Sequence, residues 1–513
     1  MSAAPGEEDY VTDVPYARTF IDLLAPPTLR LVAALNGYAA PSGDDFDYCE
    51  LGSGSGDTAV TLAAANPRAR FVGVDFSASQ VAFARELARR GAVGNARFVE
   101  RDFEELAAED LPSFDFIAAH GVFSWVSPAK RAAVTAFARD KLKPGGLFFV
   151  SYNALPGWAA IAPLRRFMLE QTEGARGSTI DRARRGIAIA QRLSDAGGVY
   201  FTNHPTARSM LGLMTRAGLP YVAHEYFHQQ WEPMYFTDVA RAMAAHDLHY
   251  VGQVPLYLNF RELTMAPGLA ELAAGAKDRV AFEGLKDFAI NEFFRSDVYI
   301  KGASSPSDAA SRRYLDTTPF GTAYTSEPIR RELRLPHASI AFTGPLYDAL
   351  LFEIAAGASA SADLARRPPL AAFGSRQIGD ALKTLALGGQ VIPMAPRAAP
   401  PARDPRRVVH PFNRAVLEEG LSQGRPLVLA SPVSRTGVML SVLDALCVRL
   451  WADVPEPERE AWVRDLVARQ PLRLVVRDER IDDREHVVRA VLDELGRFSA
   501  HGARKLAELG ILD

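Results

Sequence analysis

Three glycines at alternate positions follow an apolar run that ends in an acid. Residues 47–57 read DYCELGSGSGD, and the stretch after them has the apolar content of a helix start. Glycine tolerates positive φ and leaves no Cβ between the backbone and a ligand. A strand that turns through such a loop into a helix brings backbone N–H groups close to a nucleotide-like ligand. A plain tight turn would use the same glycines. The residues that this loop offers to a cofactor are Glu50, Gly52, Ser53, Gly54 and Gly56.

Acids stand at the ends of the next two predicted strands. Residues 70–75 (RFVGVD) end in Asp75, and Asp102 lies near the end of residues 95–103. An acid at the tip of the second strand of a βαβ unit can accept both ribose hydroxyls of a nucleoside. Asp102 can accept from an adenine amino group, with Phe76 and Phe103 as stacking faces. The pattern G-x-G-x-G differs from the dinucleotide fingerprint G-x-G-x-x-G, but NAD stays open as the rival ligand.

Strands and helices alternate around these residues in a way that predicts an α/β fold. Such spacing specifies a parallel sheet with right-handed crossovers. Ligands of these sheets bind at the carboxyl ends of the strands. The glycine loop, Asp75, Asp102 and His120 all fall at those ends, which argues against a plain turn. The predicted strands are 46–51, 70–75, 95–103, 114–119, 147–152 and, after an interruption, 249–258, and the predicted helices between them include 28–35, 58–66, 78–90 and 128–141.

Four motifs in this region resemble one enzyme family. The segments ELGSGSG, VD at the second strand tip, RD at the third and KPGG before the fifth are similar to those of the class I S-adenosylmethionine-dependent methyltransferases. The resemblance implies a Rossmann-like domain with S-adenosylmethionine as cofactor. It gives the glycine loop and Glu50 to the methionine part, Asp75 to the ribose and Asp102 to the adenine. NAD is thereby disfavoured.

A second set of segments sharpens the resemblance. AHGVFSWV, SYNALPGW and HEYF followed by PMYFTDVARAMAAHDLHYVG resemble methyltransferases with a so-called regulatory domain, among them the rickettsial protein-lysine methyltransferases that modify outer-membrane protein. The resemblance covers about residues 1–300 and extends loosely over the rest. It implies an enzyme that N-methylates lysine side chains of a protein substrate. The motifs are specific to the architecture and not to the substrate, so a small metabolite or natural product as acceptor, or a non-catalytic cofactor-binding regulator, remain alternatives.

The acceptor needs positioning more than acid–base chemistry. Methyl transfer from a sulfonium is an in-line displacement that requires a close, aligned and neutral nucleophile. A lysine amine, with an ordinary pKa of about 10.4, first loses a proton, which desolvation favours. Aromatic faces attract cationic groups, although the same aromatics can simply pack the sheet edge, and His120 can act through its backbone alone. The candidates near the strand tips are Tyr16 from the N-terminal arm, His120, Phe123, Trp125, Tyr152, Asn153 and Trp158.

Length and composition limit the number of domains and the classes of partner that the protein can have. A chain of 513 residues predicts two to four domains. The net charge of −3 gives no basic field, so nucleic acid is an unlikely partner. Two cysteines form neither a disulfide framework nor a zinc cluster. With no apolar run of membrane-spanning length and no leader-like N-terminus, the sequence predicts a cytoplasmic enzyme with no membrane span.

Domain boundaries follow from the interruptions in the pattern. An arginine-rich insert reads as a solvated helix face, a homodimer surface or a rim for an acidic substrate. A linker rich in Pro and Arg covers residues 396–407. The predicted divisions are a methyltransferase domain at 1–160 and 219–262, a helical insert at 161–218, a helical middle segment at 263–335, a winged-helix-like domain at 336–400 and a mixed α/β domain at 408–513.

Two motifs point to functions that we do not predict. Residues 224–228 (HEYFH) match the zinc-protease motif H-E-x-x-H, which works only on one face of a helix. Their flanks favour a strand, so no metal site is predicted, although Glu225 or Tyr226 can face the substrate cleft. The helix at 376–387 of the winged-helix-like domain carries only Arg376 and Lys383, so we expect a protein contact rather than DNA binding.

Overall fold

The computed structural model describes residues 18–302, 305–324, 330–396, 405–423, 426–469, 474–476, 479–481 and 483–513. The predicted acceptor residue Tyr16 and most of the linker at 396–407 lie outside the described residues.

One sheet holds the predicted cofactor-binding residues. Its strands run in the order β3-β2-β1-β4-β5-β8-β7, and β6 pairs with the end of β5. The pairs among β1–β5 are parallel, whereas β8 is antiparallel to both of its neighbours. The order reverses between β1 and β4, which is where such sheets bind ligands. The strands are β1 Asp47–Leu51, β2 Arg70–Asp75, β3 Ala96–Glu100, β4 Phe114–Ala119, β5 Leu142–Leu155, β6 Met234–Tyr235, β7 Leu248–Gln253 and β8 Phe294–Lys301.

Helices cover both faces of the sheet. Every residue of β1 is buried, as expected for a parallel strand with helices on both sides. One core joins the sheet to α1–α3, and the other joins it to α4 and to the later helix Phe236–Ala244. The helices packed around the sheet are α1 Pro26–Leu35, α2 Asp57–Ala65, α3 Ala78–Arg90 and α4 Pro128–Lys141.

The insert forms a helical unit with a core of its own around Trp158. The strand predicted near residues 221–227 is wrong, because this segment is a helix. Pro220 occupies its first turn, where proline is favoured, and its apolar residues pack into the insert core. The insert therefore continues past its predicted end at residue 218. Its helices are α5 Ala162–Glu170, α6 Thr179–Asp195, α7 Val199–Asn203, α8 Pro205–Met214 and α9 Leu219–Tyr226.

The last sheet strand lies where only helix and loop were predicted. Strand β8 belongs to the segment 263–335 and pairs with β5 over seven residues, from Leu147↔Ile300 to Asn153↔Phe294. The sheet therefore extends beyond residue 262, where the domain that contains it was predicted to end. The helices between β6 and β8 are α10 Phe236–Ala244, α11 Arg261–Thr264, α12 Ala270–Ala274 and α13 Arg279–Ile290.

The remaining chain forms two further cores, one over residues 315–391 and one over residues 394–512. Four helices and short strand pairs of the described residues fill the first, and its winged-helix character stays a prediction. Lys383 of its longest helix lies 4.4 Å from the centre of the Phe260 ring. The helices are α14 Asp308–Thr317, α15 Pro345–Ala356, α16 Ser361–Leu364, α17 Gly374–Leu387, α18 Pro411–Gln423, α19 Val442–Asp453, α20 Arg459–Arg469, α21 Arg484–Arg497 and α22 Ala503–Glu508. The strands are β9 Phe320–Thr322, β10 Glu332–Arg334, β11 Ser339–Ala341, β12 Val391–Pro393, β13 Leu427–Ser431, β14 Thr436–Leu440, β15 Leu474–Val476 and β16 Glu479–Ile481.

Ion pairs join the C-terminal unit to segments that flank the main sheet. Arg18 bridges Asp57 at the start of α2 and Glu419 on α18, each at 2.8 Å. Arg435 reaches Asp44 at 2.9 Å. None of the described helices has the length and apolar content needed to cross a bilayer.

Candidate active site

The glycine loop has the geometry that its sequence predicts. Gly52, Gly54 and Gly56 all have positive φ, at 74°, 51° and 73°. A Cβ on Gly52 would lie 2.8 Å from Val122, and one on Gly56 would lie 2.6 Å from Ala84. A Cβ on Gly54 would meet nothing within 4 Å. Two of the glycines thus allow close packing inside the protein, whereas Gly54 borders open space.

Glu50 is a buried carboxylate beside this loop. It is 5% exposed, and its Oε2 has no hydrogen-bond partner among the described residues. Burial, with Asp57 and Asp75 nearby, raises the pKa of Glu50 to about 8. Ser53 is also buried with an unpartnered hydroxyl. Because unpaired buried polar groups are costly, this pair is best explained by a ligand that supplies a donor.

Asp75 lies at the tip of β2, as predicted, but part of its carboxylate is engaged within the protein. Its Oδ2 accepts from the Gly54 N–H at 2.8 Å, and its Oδ1 accepts from the Ser77 N–H at 2.9 Å. Burial raises the pKa of this carboxyl. Asp75 therefore holds the glycine loop in shape, and only its remaining lone pairs would be available to a ribose.

Asp102 stands next to the site with a partner that the sequence did not suggest. Its side chain forms an ion pair with Lys130 at the start of α4 and accepts weakly from the Glu104 N–H at 3.3 Å. The ring of Phe103 lies 3.9 Å from where a Gly52 Cβ would be. Phe103 is thus beside the glycine loop, and an adenine would compete with Lys130 for Asp102.

His120 is held by Ser151, which the sequence reasoning missed. The Ser151 hydroxyl lies 3.0 Å from His120 Nδ1 and accepts from the Gly121 N–H at 3.0 Å. Burial lowers the pKa of His120 to about 4. The imidazole is therefore neutral at physiological pH, and Ser151 fixes both the ring and the backbone after β4.

Two of the predicted acceptor residues lie in cores. Tyr152 is fully buried, and its hydroxyl donates to Asp297 at 2.6 Å on β8. Trp158 is 1% exposed and stacks on Phe293 with ring centres 4.5 Å apart. Adjacent strand residues face opposite sides of a sheet, so Tyr152 cannot share a face with Asn153. Both aromatics stabilise the walls of the site rather than face an acceptor.

Asn153 lies on the same face of β5 as Ser151, one step closer to the strand end. Its N–H donates to the hydroxyl of Ser124 at 2.9 Å, and the Ser124 carbonyl accepts from the Glu232 N–H at 2.9 Å. Ser124 belongs to the short helical turn Phe123–Trp125, which places the candidate Trp125 at the end of β4. The segment between α9 and β6 is thereby tied across the carboxyl ends of β4 and β5.

Residues of the insert complete this end of the site. Burial raises the pKa of Glu225 on α9 to about 7, while the amide of Asn153 and the guanidinium of Arg165 act in the opposite direction. Arg165 is 7% exposed, donates to the carbonyl of His228 and lies over the Trp231 ring at 4.6 Å. Among the described residues, no group of His, Cys, Asp and Glu side chains is arranged to hold a metal ion.

Family models match two parts of this architecture. Residues 49–148, from β1 into β5, match the model of a methyltransferase domain. Residues 219–301, from α9 to the end of β8, match the model of a predicted methyltransferase regulatory domain. The chain carries a methyltransferase domain joined to a regulatory domain. The expected S-adenosylmethionine-dependent methyltransferase with a Rossmann-like sheet is confirmed.

Relatives and a solved structure extend the likeness to the whole chain. An uncharacterised protein of Synechocystis is 26% identical over 98% of this chain and 99% of its own. An uncharacterised protein of Rickettsia prowazekii is 27% identical over 55% of this chain and 51% of its own. The structure of PKMT2 from Rickettsia typhi in complex with AdoHcy covers 97% of this chain and 100% of its own, with 18% identity and a TM-score of 0.74. That likeness shows a shared fold.

The residues around the glycine loop fit S-adenosylmethionine, the cofactor of this domain. The unpartnered Oε2 of Glu50 suits the methionine ammonium, and the open space at Gly54 leaves room for a ligand. When bound, the cofactor supplies an electrophilic methyl group. The fit is best at the methionine end, because Asp75 and Asp102 already have partners in the protein.

Replacing Glu50 with Gln is expected to weaken cofactor binding by about 10- to 100-fold, since a hydrogen bond to a charged group contributes about 1.5–3 kcal/mol. The pKa of Glu50 is about 8, so the carboxyl is mostly protonated at lower pH. There it must lose its proton before it can bind an ammonium group as a carboxylate. Affinity should therefore rise between pH 6 and 8 in the native protein and stay flat in Glu50→Gln. Calorimetry measures both, with the exposed Glu86→Gln on α3 as control. A parallel pH dependence in the two proteins would contradict this role.

Proposed function

We propose that this enzyme transfers a methyl group from S-adenosylmethionine to lysine side chains of a protein substrate. The observation that carries the proposal is the half-buried Glu225 carboxylate beside Asn153 at the carboxyl end of β5. A carboxylate at the acceptor side attracts a cationic amine and repels anionic acceptors. The full-length likeness to PKMT2, which was solved with AdoHcy, supports the proposal.

The residues of this chain act at two ends of the site, one for the cofactor and one for the acceptor. The glycine loop and Glu50 hold the methionine end of the cofactor, and Phe103 packs beside it. Ser151 fixes His120 and the backbone after β4, so that the wall between cofactor and acceptor keeps its shape. Asn153 and Trp125 line the acceptor end. Alignment of a nucleophile with the methyl group supplies most of the rate gain in such a displacement.

Labelled cofactor and a set of candidate proteins test the proposal. We expect transfer of label to lysine side chains, located by mass spectrometry of the products as added methyl groups on ε-nitrogens. Gly54→Leu, which should not bind the cofactor, is the negative control. Label found only in small molecules would refute the protein-lysine assignment. Tight cofactor binding without transfer to any acceptor would instead favour a regulatory protein.

A small-molecule acceptor is the second candidate. A cavity of about 270 Å³ begins at Leu155, two residues beyond Asn153 along β5, and continues between α10 and α13. Asn153 is not among the residues that line it. The cavity therefore gives little support for a metabolite held against Asn153, and the labelling experiment decides between the two acceptors.

We further propose that the enzyme works in the cytoplasm and as a homodimer formed through the arginine-rich face of the insert. Five arginines between residues 165 and 192 are exposed, at positions 166, 176, 184, 185 and 192. A monomer mass by light scattering at micromolar concentration would contradict the dimer. Residues of the C-terminal units stay candidates for contacts with a protein substrate, and nucleic acid is not proposed as a partner.

A further inference from the structure

Three polar groups from three segments meet beside the carboxyl end of β5. Asn153 comes from the sheet, Arg165 from α5 and Glu225 from α9. Asn153 is 1% exposed, and its Nδ2 closes no hydrogen bond of ordinary geometry among the described residues. It nevertheless lies close enough to Glu225 to favour the ionised carboxylate. A buried amide donor that closes no hydrogen bond is costly, and a ligand bound beside the Glu225 carboxylate would add polar partners to this cluster.

The position of Glu225 is set by the fold and not by a mobile surface contact. Helix α9 packs its buried residues, including Val222, Ala223 and Tyr226, into the insert core. The chain beyond it is tied to the end of β4 through Ser124 and to α4 through the Arg131–Glu232 ion pair. Glu225 itself keeps partial exposure. A rigidly mounted, partly exposed carboxylate is suited to bind and act on a ligand.

The surroundings of Glu225 keep it near the threshold between its two protonation states. The charged group that faces it is Arg165, which favours the carboxylate, and Tyr226 is the titratable neighbour on its own helix. Burial opposes ionisation and brings the pKa of Glu225 to about 7. A group with a pKa near the working pH transfers protons most effectively.

We propose that Glu225 binds the ammonium group of the acceptor and takes one of its protons, so that a neutral amine attacks the methyl group. The inference rests on the proposed lysine methylation and deepens it. A proton passes from the ammonium nitrogen to the Glu225 carboxylate, which becomes neutral. The nitrogen lone pair then forms the new C–N bond, and the electrons of the broken S–C bond stay on sulfur. Glu225 afterwards releases its proton to solvent, and the methylated product remains a cation.

Asn153 and Arg165 act through Glu225 in this scheme as positioning residues. The Asn153 amide orients the carboxylate through its Nδ2. Arg165 favours the ionised carboxylate and is itself held by the His228 carbonyl and the Trp231 ring. The chemistry thus depends on a residue that the regulatory segment supplies to the methyltransferase sheet.

Glu225→Gln in the full-length enzyme tests the proposal through the pH dependence of methylation. The native enzyme should lose kcat below about pH 7, as Glu225 takes up a proton. The variant should lose about 100-fold or more in kcat at pH 7.5, within the range for a lost general base. Its kcat should then rise steadily up to about pH 10, because the free amine forms without help only near its own pKa. Cofactor affinity by calorimetry should stay unchanged.

Glu173→Gln is the matched control, since it removes an exposed carboxylate of the insert and should change kcat less than 3-fold. An unchanged kcat and pH profile in Glu225→Gln would overturn the proposal. An equal loss at every pH, or a loss of cofactor affinity, would indicate a structural role and also overturn it. A native enzyme that labels no amine at all would refute the proposed function itself, which separates the two failures.

Discussion

Gly54→Leu is expected to lose at least about 100-fold in affinity for S-adenosylmethionine while the protein stays folded. A side chain at residue 54 would enter the open space beside the loop, where a Cβ meets nothing within 4 Å. The leucine side chain would fit into this open space without disturbing the packing of the protein. It would then occupy the space that the ligand needs. The positive φ of 51° adds a cost of about 1–2 kcal/mol to any non-glycine residue. Calorimetry measures the affinity, and circular dichroism measures the fold.

Gly43→Leu separates the two contributions. Gly43 also has positive φ, at 83°, and a Cβ there would also meet nothing within 4 Å. It lies before β1 and away from the loop, so it should carry the backbone cost without loss of affinity. Normal cofactor binding by Gly54→Leu would refute the assignment of the loop. Equal losses in both variants would mean that backbone strain, and not ligand contact, decides the result.

The sheet from β1 to β5 could be predicted from the sequence because local signals agree there. Apolar strands of five or six residues alternate with helices, and the glycine loop falls between the first strand and its helix. The boundaries of β4, α3 and α4 match the predicted ranges. The glycines and Glu50 could be named because the geometry of the loop depends on residues that lie next to each other in the chain.

Strand β8 and helix α9 could not be predicted, for opposite reasons. The sequence of β8, FRSDVYIK, contains charged residues, so its hydropathy does not indicate a buried strand. Arg295 and Asp297 can be buried because they form an ion pair in the folded protein. The α9 sequence contains aromatic and β-branched residues that favour a strand, but packing against the insert decides in favour of a helix. Tertiary contacts overrode the local preference in both cases.

The acceptor end of the site was predicted only in part, and some of its errors could have been avoided. Tyr152 and Asn153 are neighbours on one strand, so alternation alone excludes one of them. The partners of Asp102 and His120 come from distant positions, Lys130 and Ser151, and nothing in their local sequence identifies them. Glu225 lies within a segment that resembles a zinc-binding motif, but only the fold brings it to Asn153.

Arg295→Met is expected to destabilise the methyltransferase sheet by about 3–5 kcal/mol, the usual cost of removing one partner from a buried ion pair. Arg295 is fully buried on β8, with Asp287 at 2.5 Å, Asp297 at 2.9 Å and Glu283 at 3.2 Å. Methionine fills much of the volume but leaves these carboxylates with Lys286 as their remaining buried cation among the described residues. Urea titration followed by circular dichroism measures the loss.

The pH dependence of that loss distinguishes uncompensated charge from poor packing. Burial already raises the pKa of Asp287 to about 7, and Arg295 holds it down, so removing Arg295 raises it further. A carboxyl whose folded pKa exceeds its unfolded value contributes stability at low pH that is lost as the pH rises through those values. The deficit of Arg295→Met should therefore be larger at pH 8 than at pH 5.5. Arg241→Met, which removes an exposed arginine from α10, should change stability by less than about 0.5 kcal/mol at either pH. A loss of stability in Arg295→Met that is independent of pH would contradict this explanation. It would mean that Arg295 stabilises the fold by filling space over the Phe236 ring, which lies 4.0 Å from its guanidinium, and not by neutralising the buried carboxylates.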